Sequence, residues 1–313
     1  MASTTGEAKT RPPRSRGDRI FSGFATGAGA LILLTLAGVA LFLTYEGVPA
    51  FTASADQIPG GDGIVAYIWP LVFGTLLAAA LALLIATPLS VGVALFISHY
   101  APRRLAAPLG YLVDLLAAVP SIVYGLWGIF YLAPRMVPLY VWLDEHASWI
   151  PLFAGPASVT GRTILTVGIV LAVMILPIVT ALCREIFLQT PRLHEEAALA
   201  LGATRWEMVR MTVFPYARSG MVSAAMLGLG RALGETIAVA TVLSTTGVVS
   251  FNLITNSNPS TIAANIALKF PEASGIEVNA LVATGLVLFV ITFGVNFVAR
   301  AIVARRSQFS GAN

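Results

Sequence analysis

The sequence predicts an all-α protein that crosses a membrane several times. Of its 313 residues, 57% are apolar and only 11% are charged, and the mean hydropathy is +0.83. A soluble domain usually has about a quarter of its residues charged, so that class is excluded. Several uncharged runs exceed the ~20 residues that an α-helix needs to cross a bilayer. We therefore expect a polytopic membrane protein with six transmembrane helices.

The six predicted spans are the long apolar runs of the chain. In order, they are 20–45, 68–98, 108–132, 162–188, 216–246 and 278–301. A cleaved signal peptide is the alternative interpretation of the first run. That run is longer than the roughly 7–15 apolar residues typical of such peptides, so we expect an uncleaved helix.

Polar or proline-rich segments separate the spans. Residues 1–19 are rich in arginine and proline, and we expect them to be disordered. The connecting segments are 46–67, 99–107, 134–161 and 247–277. We expect a short helix at 261–269 within the last of these, and residues 305–313 form a basic tail.

The net charge of +4 arises from basic residues that flank the spans. With the N-terminus inside, the cytoplasmic segments hold fifteen of the nineteen Lys and Arg residues, and the outer segments hold only Arg135, Arg162 and Lys269. By the positive-inside rule, this bias places both termini in the cytoplasm. It also accounts for the positive charge without a nucleic-acid partner.

The segment 190–215, which we call the hairpin, is polar although it lies between two apolar runs. Thr190 and Pro191 fit the N-cap and the first turn of a helix. Gly202 fits the left-handed residue that ends one. A polar helical hairpin between two spans is suited to binding another protein, and an amphipathic segment lying on the lipid surface is the alternative.

A second short helix is predicted in the hairpin after Gly202. Thr204 and Glu207 have the spacing of a capping box, which starts a helix. Pro215 is expected to mark its end. With the N-terminus inside, the hairpin lies in the cytoplasm.

The hairpin also carries a specific motif. It consists of Glu196, Ala197 and Ala198, then Gly202, then Pro215 thirteen residues later. This spacing resembles the EAA loop of ABC importer permeases. The resemblance implies a type I ABC importer permease core at 68–304, in which the hairpin is a coupling helix that fits a groove on an ATPase subunit.

Other segments resemble one branch of these proteins, the phosphate-specific transport (Pst) permeases. The matching segments are 17–21, 73–76, 100–104, 119–128, 175–177, 184–185 and 228–236. The first segment and the Tyr-Gly-Leu-Trp-Gly run resemble the PstC-type subunit rather than its PstA-type partner. The resemblance covers nearly the whole chain.

The resemblance implies a permease subunit of an ATP-driven phosphate importer in a bacterial plasma (inner) membrane. Its expected partners are a second homologous permease, two ATPase subunits, an extracytoplasmic phosphate-binding protein and the surrounding lipid bilayer. The chain has no Gly-rich loop ending in Gly-Lys-Ser/Thr, so ATP and Mg are expected on the ATPase and no cofactor is expected here. The alternatives are a permease for sulfate, molybdate or phosphonate, and an ion-coupled secondary carrier. An intramembrane enzyme is not expected, because no catalytic constellation occurs in the spans.

Arg231 and Glu235 are charged residues inside the predicted fifth span, four positions apart on one helix face. A rise of about 1.5 Å per residue puts Arg231 roughly 18 Å into that span, near mid-bilayer. A charge there costs at least about 2.5–3.5 kcal/mol and needs a partner. We expect Arg231 to bind phosphate during translocation and Glu235 to orient it. A purely structural ion pair is the alternative.

Two further groups of residues in the spans are candidates for specific roles. Asp114 is expected to form a structural ion pair with an arginine such as Arg184. Pro120 frees backbone groups inside a span, and Ser121 and Tyr124 beside it offer hydroxyls. These three form a possible gating or path element, with ordinary packing as the alternative.

The sequence gives no indication of a metal site or a disulfide. His99, His146 and His194 lie in different predicted loops without metal-ligand spacing, so we expect surface or interfacial roles. Cys183 is the only cysteine and lies at the end of an apolar run, where we expect a packed thiol.

Overall fold

The computed structural model describes residues 16–307, and this part of the chain is almost entirely helical. In chain order, its α-helices are α1 (Arg16–Thr52), α2 (Ile64–Leu95), α3 (Arg103–Ala117), α4 (Ser121–Trp127), α5 (Ala133–Ala147), α6 (Ile164–Leu188), α7 (Arg192–Ala200), α8 (Arg205–Met208), α9 (Phe214–Leu233), α10 (Ile237–Val242), α11 (Ile262–Lys269) and α12 (Ile276–Ser307). The predicted all-α class is confirmed.

Both ends of the described chain are helical. α1 begins at Arg16, inside the segment 1–19 for which composition predicts disorder. α12 continues to Ser307, inside the predicted tail. The remainder of both predictions concerns residues 1–15 and 308–313, which lie outside the described residues.

Five helical stretches of the described chain are long and apolar enough to cross a membrane. They are Ile20–Thr52, Ile64–Tyr100, Ser121–Ala147, Ile164–Leu188 and Ile276–Ala301. These cover the first, second, fourth and sixth predicted spans. The third span differs in position and the fifth is interrupted, so six continuous spans are not confirmed.

The third span lies further along the chain than the predicted 108–132. α3 ends at Ala117, and Pro120 precedes α4, which continues through a π-helical turn into α5. The continuous helix is Ser121–Ala147, so half of the predicted loop 134–161 is helical. The break falls at Pro120 because proline lacks an N–H and disfavours a helical residue before it.

The predicted fifth span, 216–246, is divided. α9 ends at Leu233, and after a short non-helical stretch α10 adds only six residues. Gly234 has low helix propensity. The Glu235 carboxylate accepts a hydrogen bond from the backbone N–H of Ala238 at 3.1 Å. Like a capping side chain, it starts a new helix rather than continuing the old one.

Three π-helical turns occur in the described chain, and a proline follows each one by two positions. The turns are Phe96–Tyr100, Gly128–Leu132 and Val209–Val213, and the prolines are Pro102, Pro134 and Pro215. A proline ring clashes with the carbonyl four residues earlier, which in each case belongs to the middle residue of the turn. We attribute the wider turn to this clash. After two of the turns the helix continues through the proline instead of ending.

α6 lies at the centre of the fold, and 67% of its most apolar stretch is buried. Gly168 lets α6 approach α2 closely, and Gly228 of α9 does the same against α6. Small residues at such contacts are typical of membrane helix packing. The Ser90 hydroxyl also donates a hydrogen bond to the Leu176 carbonyl at 3.1 Å. Cys183 of α6 is buried, so the predicted packed thiol is confirmed.

The loops that the sequence assigns to the outer side are shorter than predicted. α1 continues to Thr52 and α2 begins at Ile64, so only the middle of the predicted loop 46–67 is non-helical. The short helix predicted at 261–269 is present as α11. Its N-cap is Thr261, whose hydroxyl accepts a hydrogen bond from the Ala264 N–H at 3.3 Å.

Candidate functional site

The hairpin forms two helices, α7 and α8, as predicted. Gly202 separates them with a φ of +89°, a conformation that suits glycine. At the start of α8, the Glu207 carboxylate accepts hydrogen bonds from the N–H and the hydroxyl of Thr204, both at 2.8 Å. The Glu207 N–H donates to the Thr204 hydroxyl at 3.3 Å. These bonds complete the predicted capping box, and they lower the pKa of Glu207, the backbone bond contributing most.

The two ends of the hairpin differ from the prediction. Pro191, not Thr190, is the N-cap of α7. The buried Thr190 hydroxyl has no hydrogen-bond partner in the described part of the chain. Pro215 does not end α8, because it lies in the first turn of α9 after a π-helical turn. The helical path therefore runs without interruption from Arg205 to Leu233.

The EAA motif divides between the surface and the interior. Glu196 and Ala197 are exposed, whereas Ala198 is buried in a cluster that includes side chains of α2, α6 and α9. Next to the motif, Leu193 is 77% exposed and Leu201 is 90% exposed. Exposed large apolar side chains on a polar segment are typical of a protein-binding surface.

The hairpin also contacts the end of the second span. His99 Nε2 lies 3.5 Å from Glu195 Oε1 of α7, and the His99 side chain is only 9% exposed. Its ring packs edge-on against Phe187 of α6. His99 is therefore shielded rather than on the surface, although it lies at the end of a candidate span, where an interfacial role was the alternative. His146 and His194, by contrast, are exposed.

A second charged contact joins α3 to α6. Arg184 Nη2 lies 3.5 Å from Asp114 Oδ2 and 2.9 Å from Glu185 Oε1. The predicted pair of Asp114 and Arg184 is therefore confirmed. Gly110 makes it possible, because a Cβ at that position would collide with the Arg184 guanidinium.

Arg231 lies in α9 just before the break between α9 and α10, and Glu235 lies within that break. Arg231 is exposed in the last turns of α9, and Glu235 is buried beyond the end of that helix. The Glu235 carboxylate binds the Ala238 N–H, and no ion pair joins it to Arg231. The structure thus favours separate roles for the two residues, because the helix that would align them as an ion pair ends at Leu233.

A charged side chain binds each end of α10, and the two charges have opposite signs. Glu235 accepts a hydrogen bond from the first turn, and the Arg162 guanidinium donates to the carbonyls of the last turn. Those carbonyls belong to Thr241, Val242 and Leu243, at 3.2–3.4 Å. A carboxylate at the N-terminus and a guanidinium at the C-terminus both stabilise the helix dipole. Arg162, which the sequence places in an outer segment, thus fixes the position of α10.

The Pro120 element lies beside this short helix. Pro120 is the N-cap of α4, and the Tyr124 hydroxyl donates to the Leu116 carbonyl at 2.9 Å across the break. Tyr124 is also close enough to Arg231 for an electrostatic interaction. Gly125 packs directly on Ala238 of α10. The structure thus brings Tyr124, Arg231 and α10 together, while Ser121 is half-buried in the first turn of α4.

Arg231 also lines a cavity of about 680 Å³ between α6, α9 and α12. A second guanidinium, that of Arg300 in α12, lines the same cavity, as do Ser223 and Asn296. Sequence reasoning missed Arg300 because it was counted among the basic residues of the cytoplasmic tail. The available signal was its position before the end of the sixth predicted span.

Comparison with known proteins agrees with this architecture. Residues 86–308 match the family described as binding-protein-dependent transport system inner membrane component. The chain is 47% identical over 302 residues to the phosphate transport system permease protein PstC 2 of Mycobacterium tuberculosis, with 93% of each chain covered. It is 39% identical over 312 residues to the phosphate transport system permease protein PstC of Xylella fastidiosa, with 95% of this chain and 94% of the relative covered.

A solved structure shares the fold. The inward-facing MetNI methionine ABC transporter aligns with 76% of this chain and 96% of its own, with a TM-score of 0.54 and 17% sequence identity. Such a low identity concerns the fold alone.

The family match covers most of the chain, and the relatives align over nearly their whole length. The relatives are permease subunits of transport systems in which the ATPase is a separate chain, which confirms that the chain itself is not an enzyme. The chain belongs to the binding-protein-dependent transport system inner membrane components and, within them, to the PstC-type permeases.

Proposed function

We propose that this chain is the membrane-spanning permease subunit of an ATP-driven phosphate importer, which moves inorganic phosphate inward by alternating access. Its PstC-type relatives are named as phosphate transport permeases. A site with an exposed guanidinium beside a helix break suits an oxyanion, because arginine binds phosphate oxygens bidentately and stays charged at every relevant pH.

The observation that carries the mechanism is the continuous helical path from the hairpin to Arg231. α8, the π-helical turn and α9 extend from Arg205 to Leu233, roughly 40 Å at the usual rise. A movement of the hairpin would therefore be transmitted along one connected element to the region of Arg231. An interruption at Pro215 would have separated the two.

The partners that we propose follow from the two ends of this path. The exposed face around Glu196, Ala197 and Leu201 binds one of two ATPase subunits, which carry ATP and Mg. Both termini lie in the cytoplasm with the hairpin. A second, homologous permease completes the pathway in the membrane, and an extracytoplasmic phosphate-binding protein delivers the substrate to the outer loops.

In the proposed site, Arg231 binds phosphate directly. Glu235 acts differently from the sequence expectation, since it holds the start of α10 rather than orienting Arg231. Pro120, Ser121 and Tyr124 form the neighbouring wall, where the break before α4 allows α4 and α10 to shift relative to α9. The short α10 is packed against α4 and is suited to such movement because it is not continuous with α9.

The experiment is uptake by the complete complex in proteoliposomes, with ATP enclosed and with the binding protein and radiolabelled phosphate outside. We expect uptake that requires ATP, is little affected by excess sulfate, molybdate or phosphonate, and is lost in Arg231→Gln. Arg231→Lys should retain part of the activity because it keeps the charge but not the bidentate geometry. Arg218→Gln, which removes an exposed charge from the same helix, is the matched control.

Two outcomes would contradict the proposal. Uptake driven by an ion gradient without ATP would indicate a secondary carrier. If another oxyanion inhibits the uptake of labelled phosphate as strongly as unlabelled phosphate does, or more strongly, the chain would be a permease for that anion.

A further inference from the structure

The cavity between α6, α9 and α12 has an unusual charge. Arg231 and Arg300 line it from two different helices, and no acidic side chain is among the described residues that line it. The other polar groups are Ser223 and Asn296, and the remaining lining is aliphatic. The cavity therefore combines a guanidinium from the last turns of α9 with one from the end of the sixth span, beside a mostly apolar lining.

Neither guanidinium is neutralised within the described chain. The three ion pairs found there involve His99 and Arg184, not Arg231 or Arg300. Charged side chains in membrane spans are costly and normally face a partner or water. Both side chains are exposed, so each guanidinium is accessible to an anion that enters the cavity. An anion bound in the cavity would supply the partner that these charges lack.

The two polar neighbours complete the donor set. The Asn296 side-chain NH₂ donates one hydrogen bond to the Thr292 carbonyl at 2.9 Å, which leaves its second N–H for a ligand. The Ser223 hydroxyl already donates to the Ser219 carbonyl at 3.0 Å. The cavity thus offers two guanidiniums and one amide donor, which suit an acceptor with several negatively charged oxygens.

We propose that Arg300, together with Arg231, forms a binding site for a tetrahedral phosphate group in this cavity. This inference deepens the proposed function and rests on it for the identity of the free anion, since it adds a second binding residue to the site of Arg231. The same chemistry is present in inorganic phosphate and in a phospholipid headgroup. The two sources are distinguished by experiment.

The test uses the complex of permease and ATPase subunits, purified in a maltoside detergent without the binding protein. In one arm, radiolabelled orthophosphate is titrated into the wild type and into Arg300→Gln, Arg300→Lys and Arg218→Gln. In the other arm, phosphatidylglycerol is added, and the lipid retained by each complex is counted by native mass spectrometry. Uptake by the wild-type complex is measured separately in the proteoliposomes with binding protein described above, and size-exclusion chromatography reports whether each variant assembles.

We expect Arg300→Gln to weaken orthophosphate binding about tenfold or more, as loss of a charge-assisted hydrogen bond implies. Arg300→Lys should be intermediate and Arg218→Gln unchanged. Reduced lipid retention in Arg300→Gln with unchanged orthophosphate binding would support the site but assign it to a headgroup. If Arg300→Lys binds orthophosphate and retains lipid as the wild type does, the bidentate site is overturned. Arg300 would then only orient the helix.

The inference also fails if Arg300→Gln assembles and matches the wild type in both arms. That result leaves the proposed function intact as long as the wild-type complex takes up phosphate. Conversely, absence of wild-type uptake together with weaker orthophosphate binding in Arg300→Gln would contradict the proposed function and support the anion site.

Discussion

His99 Nε2 at the end of the second span lies 3.5 Å from Glu195 Oε1 in the hairpin. The contact is largely shielded, with the two side chains 9% and 22% exposed. It is a lateral connection between the hairpin and the transmembrane core, in addition to the continuous path through α9. Movement of α7 should therefore be felt at the end of α2 as well.

We expect His99→Ala and Glu195→Ala each to lower the amount of phosphate moved per ATP hydrolysed. A coupling free energy of about 1 kcal/mol corresponds to a reduction of roughly fivefold. Because both variants remove the same contact, the double variant should be no worse than either single one. Phosphate uptake and ATP hydrolysis measured on the same proteoliposomes give the ratio. Additive losses would show that the two residues act separately.

The effect of Gly110→Ala on the free energy of unfolding should depend on whether Arg184 is present. An alanine at 110 would collide with the Arg184 guanidinium and displace it from Asp114. Asp114 is half exposed, so we expect Gly110→Ala to lower the free energy of unfolding by no more than about 1 kcal/mol.

In an Arg184→Ala background, the same substitution should instead be neutral or stabilising. The obstacle is then absent, and alanine favours the helix by up to about 1 kcal/mol over glycine. Unfolding titrations of the four proteins in mixed detergent give the comparison. A loss of stability on Gly110→Ala in both backgrounds would contradict the proposed contact.

The capping box of α8 should make the hairpin sensitive to acid. Hydrogen bonds from the Thr204 N–H and hydroxyl lower the pKa of Glu207, so the ionised carboxylate is favoured in the folded hairpin. Its contribution is fully present above the usual pKa of a glutamate and is lost as the pH falls through the lowered value.

We therefore expect the amide protons of α8 to lose protection when the pH falls below the usual glutamate range. Glu207→Gln should lose most of this dependence, because its side-chain oxygen does not titrate. Hydrogen exchange, corrected for the intrinsic pH dependence of the rate, measures both proteins. Equal pH dependence in the two would exclude Glu207 as the responsible group.

Much of this architecture follows from the sequence. The apolar runs predict four of the spans, and local rules predict the Gly202 turn, the Thr204 and Glu207 capping box and the pair of Asp114 with Arg184. These features depend on composition, on neighbours a few residues apart or on the cost of an unpaired charge. Tertiary packing contributes little to the spans, the turn and the capping box, whereas the ion pair joins α3 to α6.

The errors have three different physical causes. Pro134 and Pro215 were expected in a loop and at a helix end, but a π-helical turn before each lets the helix continue. The break at Gly234 went unnoticed because the flanking residues are apolar on both sides. The contacts of Arg162 and the cavity that Arg300 lines could not be predicted, since their neighbours lie on helices distant in sequence.

Arg162 fixes the C-terminus of α10 through three backbone carbonyls. We expect Arg162→Ala to reduce phosphate uptake at least about tenfold, because a small displacement of groups near a binding site has large effects on rate. Arg162→Lys should retain part of the activity, since an ammonium group can still donate to one or two carbonyls. Arg135→Ala is the control, because the Arg135 guanidinium contacts only Tyr131, one turn away, within the described chain. Equal effects of Arg162→Ala and Arg135→Ala would show that outer positive charge alone matters.

The last prediction separates the two interpretations of Arg231 and Glu235. If they formed an ion pair, the double variant Arg231→Gln with Glu235→Gln would be neutral overall and should recover much of the uptake that either single variant loses. In the structure Glu235 binds the Ala238 N–H, and Arg231 faces the cavity that Arg300 also lines. The two side chains thus have different tasks, and we expect the double variant to be at least as impaired as Arg231→Gln. Phosphate uptake by the two single variants and the double variant, measured at matched yield of the complex, distinguishes the two interpretations. Recovery of uptake in the double variant would favour the ion pair and contradict an independent role of Arg231.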